Sequence, residues 1–197
     1  MREVNVSQIV TVVRKLCIDA NIYLDKDVLE KLEESLKVED YPVAREILEQ
    51  ILENAQLATE EQMPMCQDTG VAVVFVELGQ EVHIVGGSFS EAINEGVRQG
   101  YRDGYLRRSV VDDPVFERKN TKDNTPAIIH TEIVPGDSIK FTVTPKGAGS
   151  ENMSEVRMMK PADGIEGVKD FIVDRVRRSG GSPCPPIIVG VLSLIHI

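Results

Sequence analysis

The sequence predicts an α+β fold: an N-terminal helical segment followed by a mixed sheet with hairpins and flanking helices. Three observations predict it. Apolar residues recur at helical spacing through residues 1–61, the texture changes at Pro64 to short β-branched runs between Gly-rich turns, and the strands come in pairs separated by turn residues. Helices first and sheet afterwards is the order of an α+β chain.

The helical segment carries three apolar stripes. Ile9, Val12, Val13, Leu16 and Ala20 form the first, Val28, Leu29, Leu32 and Leu36 the second, and Ala44, Ile47, Leu48, Ile51 and Ala55 the third. Asp27 is expected to cap the second helix, and Pro42 stands where a first helical turn tolerates proline. Val71 to Val76 is apolar throughout and predicts a strand covered on both faces, with Glu81 to Val85 as its hairpin partner. Ser88-Phe89-Ser90-Glu91 fits a capping box ahead of a helix running to about Gly104. Ala127 to Val134 and Ser138 to Thr144 bracket Pro135-Gly136-Asp137, which predicts a second hairpin with one wet face. Ile165 to Arg178 reads as an amphipathic helix stopped at Gly180-Gly181, and Ile187 to Val191 as one more buried strand.

Composition narrows the function classes. The 197 residues hold 22 basic and 32 acidic side chains, a net charge of −10 that argues against duplex nucleic acid. The longest apolar run falls far short of the ~20 residues of a membrane helix, and the N-terminus lacks the basic, then apolar, pattern of a signal peptide. Three cysteines do not make a disulfide framework, which places the chain in a reducing cytoplasm. The acid is concentrated in front: residues 1–61 hold 14 Asp/Glu and 7 Lys/Arg. Residues 98–122 form a locally basic stretch, with seven Lys/Arg against four acids, suited to a small anion.

Three loops are richer in chemistry than a scaffold requires. Cys66-Gln67-Asp68-Thr69-Gly70 puts a thiol, an amide and a carboxylate in a turn just before the apolar strand. Ser182-Pro183-Cys184-Pro185-Pro186 holds a thiol in a stiff proline-rich loop. Lys146-Gly147-Ala148-Gly149-Ser150-Glu151-Asn152 lets backbone N–H groups approach an anion but lacks the P-loop pattern. The spacing from Cys66 to Cys184 excludes a CxxC pair, and Cys17, on an apolar helical stripe, reads as a core thiol. A thiolate nucleophile at Cys66 has no histidine placed beside it, since His83 and His130 fall in predicted strands.

Together with Asn120-Thr121-Lys122-Asp123-Asn124-Thr125-Pro126-Ala127 and the run to Gly190, these motifs resemble the alpha subunit of class I, iron-sulfur fumarate hydratases and L-tartrate dehydratases. The likeness runs in register from Ile9 to Val191. The resemblance implies a hydro-lyase interconverting fumarate and L-malate, with L-tartrate dehydration as the alternative. It also implies a 4Fe-4S cluster held by three cysteines with one iron open to substrate. Cys66 and Cys184 match two ligand positions. Gln67, Asp68, Arg107 and Gly149 match substrate-contact positions, Asp68 as the residue assisting proton movement, and Arg107 rather than Arg108 because Arg107 and Ser109 satisfy an Arg-x-Ser pattern.

The same resemblance divides the chain into a helical segment, 1–61, packing on the same domain as a cluster- and substrate-binding part, 62–191. Residues 192–197, Leu-Ser-Leu-Ile-His-Ile, depart from the family pattern and are expected to be a non-native tail translated from a sequencing adapter, so that His196 has no role. The resemblance places the third cluster cysteine in the family's continuation well beyond Val191, and the proton-abstracting base in a beta subunit or C-terminal domain. The chain alone is expected to be inactive, or a module that binds a partner subunit.

Overall fold

The computed structural model describes residues 1–193. The chain divides into two compact units, Met1–Lys146 and Gly147–Ile197. No helix among the described residues is long and apolar enough to cross a membrane.

The first unit runs β1 (Arg2–Asn5), α1 (Val6–Ile22), α2 (Lys26–Val38), α3 (Pro42–Glu61), β2 (Val71–Gly79), β3 (Val82–Val85), α4 (Phe89–Asp103), β4 (Ile128–Val134) and β5 (Ile139–Lys146). The α+β class holds. Asn5 starts α1 with a capping pair, its side chain accepting from Ser7 N while Gln8 accepts from Asn5 N. Pro42 opens α3 at the position where its missing N–H costs nothing. Ser88 accepts from Glu91 N at the head of α4. Asp27 does not cap α2: that helix starts at Lys26, behind Asp25, and Asp27 lies in its first turn accepting from Val28 N.

The strands pair differently from the expectation. β3 does not form a hairpin with β2 but pairs in parallel with β1, Arg2 opposite Val82 and Asn5 opposite Val85. Likewise β4 and β5 form no hairpin. β2 lies between them, parallel to β4 and antiparallel to β5. Burial is the physical reason, since the most apolar strand gains most from the central position, with neighbours on both edges. Pro135 to Ser138 then bridges two strand spacings, ~10 Å, instead of making a tight turn. The crossing is tied down by Gly79 N to Ser138 O and Glu81 N to Gly136 O, both 2.9 Å. Alternation along β5 is as expected: Ile139, Phe141 and Val143 face inward while Lys140, Thr142 and Thr144 are exposed. β2 is covered less completely than its sequence implies, with Phe75 47% exposed and stacked on His130.

One face of this sheet carries α1 and α4. Ile9, Val13 and Cys17 from α1 meet Ala72, Val74 and Val76 from β2 and Ile93, Val97 and Tyr101 from α4. The two helices touch backbone to side chain along a glycine line on α4. A Cβ on Gly96 would stand 2.7 Å from Val13 Cβ, and one on Gly100 2.7 Å from Cys17 Cβ. No side chain fits there.

The second unit contains α5 (Ala148–Glu151), a 3₁₀ turn at Pro161–Asp163 and α6 (Gly164–Ser179). Glu155 joins Arg175 at 3.3 Å and Arg178 at 3.0 Å, and Arg157 lies 5.6 Å over the Phe171 ring. Gly180, at φ 53, ends α6 in the left-handed region where the sequence placed its stop. Ile187 to Val191 is not a strand: the run is exposed and pairs with nothing in the described part of the sheets, so its β propensity goes unused. Of the tail at 192–197, residues 194–197 lie outside the described residues.

The glycine line carries a test. Glycine in a helix interior normally costs ~1 kcal/mol relative to alanine, yet Gly96→Ala is expected to destabilise by about 1–3 kcal/mol through overpacking against Val13. The shift of the urea midpoint measures it, and a stabilised variant contradicts the close approach of α1 and α4.

Candidate functional site

Residues 63–70 lead into β2, and this loop is anchored at both ends. Met65 N donates to Asn21 O at 2.9 Å, and Asn54 Nδ2 donates to Met65 O at 2.8 Å, tying the loop to the end of α1 and to the side of α3. At the other end Gly70, buried and at φ 59, makes the turn into the strand. Asp68 Oδ1 accepts from Gly70 N at 3.2 Å, and Asp68 N points at Cys66 Sγ, 3.4 Å away.

Behind the loop sits a buried polar node. Asn124 has 0% exposure and φ 63, a left-handed conformation that asparagine tolerates. Its Nδ2 donates to Gly70 O at 3.0 Å while its Oδ1 accepts from Ser109 N at 2.8 Å and Val110 N at 3.2 Å. Tyr101 Oη donates to Thr69 O at 2.7 Å and lies 3.2 Å from Gly70 O. Burial pushes the Tyr101 phenol up, which keeps it a donor. Thr69 Oγ1 donates to Arg107 O at 3.0 Å. The node therefore fixes the Cys66–Gly70 loop against the segment that carries Arg107.

A neighbouring ion-pair cluster supports it. Arg98 Nε meets Asp123 Oδ2 at 2.9 Å and also pairs with Glu91 and Glu95. Burial raises the Asp123 carboxyl, but hydrogen bonds from the Thr125 hydroxyl and Arg98 outweigh it and hold the group at about 2. Arg108 is occupied, its Nη1 donating to Lys122 O at 2.9 Å.

In front of the node lies an open cavity of about 440 Å³ lined by Pro64, Cys66, Gln67, Thr69, Tyr105 and Arg107. Among the described residues, the Arg107 guanidinium has no ion pair and the Gln67 amide no side-chain hydrogen bond, so both are available to a ligand. Asp68 is exposed in the same loop but does not line the cavity. Three of the expected site residues, Cys66, Gln67 and Arg107, thus share one wall, with Asp68 in the same loop.

Cys184 and Gly149 belong to the second unit and are neighbours there. A Cβ on Gly149 would stand 3.0 Å from Ser182 O, so the glycine loop closes on the proline loop. Cys184 is exposed at φ 58, its N–H donating to Gly181 O at 3.1 Å. Cys17 is buried in the core, and burial pushes its thiol up to about 12.

Each unit offers one exposed thiol of the type that ligates iron. Cys66 and Cys184 are free and exposed, and Cys66 Sγ already accepts a backbone N–H, as cluster thiolates commonly do. Among the described residues no group of three or more His, Cys, Asp or Glu converges on a metal position. Residue typing missed Thr69, Tyr101 and Asn124 as organisers of the site. The signal available was the buried amide's motif, Asp123-Asn124-Thr125, which carried only a resemblance.

Comparison with known proteins adds to this geometry. The fumarate hydratase (Fumerase) family matches residues 10–192. The chain belongs to that family. A putative L(+)-tartrate dehydratase subunit alpha of Methanocaldococcus jannaschii is 41% identical over 184 residues, covering 91% of this chain and 65% of the relative. The L(+)-tartrate dehydratase subunit alpha of Escherichia coli K12 is 28% identical over 84% of this chain and 55% of its own length. The anaerobic class I fumarate hydratase of the same strain is 36% identical over 70% of this chain and 25% of its own. The chain spans less than two thirds of the length of these relatives.

The burial contrast predicts thiol behaviour. In the folded fumarate hydratase family chain, iodoacetamide should modify Cys66 and Cys184 quickly and Cys17 only after denaturation. Peptide mapping reads this directly, and rapid native labelling of Cys17 contradicts its place in the core.

Proposed function

We propose that the chain is the cluster- and substrate-binding part of a 4Fe-4S hydro-lyase that reversibly hydrates fumarate to L-malate. One observation carries the reading: an exposed thiol, a free amide and an unpaired guanidinium share one cavity in a member of this family. L-tartrate dehydration is the second reading, favoured by the names of the relatives at 41% and 28% identity.

Each residue has a part in that chemistry. Cys66 and Cys184 would each give a thiolate to the cluster, the third coming from outside this chain. When bound, the cluster supplies a Lewis-acidic iron for the hydroxyl that leaves or adds. Arg107 grips a carboxylate through its planar fork, and Gln67 donates its amide to the same ligand. Asp68 spends Oδ1 on Gly70 N and keeps Oδ2 for a proton at the leaving hydroxyl. Gly149 is given a substrate contact by the resemblance alone. The proton-abstracting base belongs to a beta subunit or further domain, which is the partner this reading requires. Free, exposed thiols suit the reducing cytoplasm.

The test is anaerobic reconstitution with iron and sulfide of the full-length protein assembled with its partner. A brown chromophore is expected in the wild type and lost in Cys66→Ser and in Cys184→Ser. Arg107→Gln should keep the chromophore while fumarate hydration falls by about 10- to 100-fold in kcat/KM, the loss of a charge-assisted hydrogen bond to the substrate. A chromophore that survives both serine substitutions contradicts the assignment of ligands.

A further inference from the structure

The end of α4 holds a residue that the fold does not need. Gly104 closes the helix, Tyr105 N donates to Arg102 O at 3.4 Å, and Leu106 N donates to Tyr101 O at 3.1 Å. This pair of bonds is a Schellman motif, in which the residue at Tyr105's place adopts left-handed backbone and is usually glycine. Here it is a tyrosine at φ 56. A bulky side chain in that region is a conformational outlier.

Nothing in the packing accounts for it. Tyr105 is 92% exposed, and among the described residues its hydroxyl makes no hydrogen bond. Its neighbour Leu106 goes into the core, so the helix end is secured without the ring. Yet Tyr105 borders the cavity that holds Cys66, Gln67 and Arg107. A glycine there would fold with less strain and leave that side of the cavity without a donor.

We propose that Tyr105 is a ligand-contacting residue, its phenol O–H donating to a carboxylate oxygen of the bound four-carbon dicarboxylate. The inference rests on the dicarboxylate reading of the cavity. Among the described residues Arg107 is the one cation lining the cavity, so it answers one carboxylate of such a ligand and leaves the other to neutral donors. The unpartnered phenol of Tyr105 supplies one and the Gln67 amide another. Backbone strain is retained because the exposed ring serves binding instead of folding, the trade-off expected where a site residue breaks a local rule.

Three variants of the reconstituted full-length protein test this by calorimetric titration with L-malate alongside urea and thermal unfolding. Tyr105→Phe should keep wild-type stability and bind about fivefold more weakly, the factor one net hydrogen bond supplies. Tyr105→Gly should bind at least as weakly yet unfold later, its Tm raised by about 2–4 °C through relief of the left-handed backbone. Arg107→Gln should weaken binding by about tenfold or more. If the wild type and both Tyr105 variants bind equally while Arg107→Gln does not, the role of Tyr105 is overturned and the dicarboxylate reading stands. If the wild type does not bind L-malate, the reading falls and the inference with it. A Tyr105→Gly variant less stable than the wild type shows the ring to be structural and overturns the proposal.

Discussion

The arrangement of this protein depends on one buried amide. Asn124, fully enclosed, accepts from two backbone N–H groups of one segment and donates to the carbonyl of Gly70 in another. A polar group left unsatisfied at such depth costs about 1–3 kcal/mol, so the two segments are held together or not at all. Tyr101 and Thr69 add bonds from α4 and from the loop itself. Groups on three stretches far apart in sequence are thereby given one geometry, and the cavity inherits it.

The larger elements serve this node. α4 delivers Tyr101 at the right height only because its glycines let α1 approach closely. β2 begins directly after Gly70 and takes the centre of its sheet, so the Cys66 loop is mounted on the best-buried strand of the first unit. The Arg98–Asp123 pair fixes the other side of Asn124 to the same helix. A flexible loop bearing a thiol, an amide and a carboxylate would lose much of its binding free energy to ordering. Here that cost is met in folding.

What could be read from residues alone follows a physical division. The amphipathic helices were legible because a 3.6-residue period records which side meets water, and α1, α3, α4 and α6 fall where their stripes lie. Strand partners were not. Turn residues such as Pro135-Gly136-Asp137 say where the chain reverses but not which strand enters between, and Arg2–Asn5 has no apolar alternation to announce β1. Ile187 to Val191 shows the converse, a β-prone run that pairs with no strand among the described residues. Among the residues lining the cavity, Cys66 and Gln67 were legible by chemical type, whereas Arg107 was separated from its basic neighbours only by the resemblance. Asn124, Thr69 and Tyr105 were not legible, since a buried hydrogen-bond node and a tyrosine in a glycine's place exist only in the folded backbone.

The central claim is that the Cys66–Gly70 loop and the Arg107 segment, clamped by Asn124, form one dicarboxylate site. Residue-resolved amide NMR of the full chain during titration with L-malate tests it most directly. The largest shifts should fall in residues 66–70 and 105–110, with α2 and α3 unmoved. Shifts confined to other elements, or none at saturating L-malate, would contradict the account.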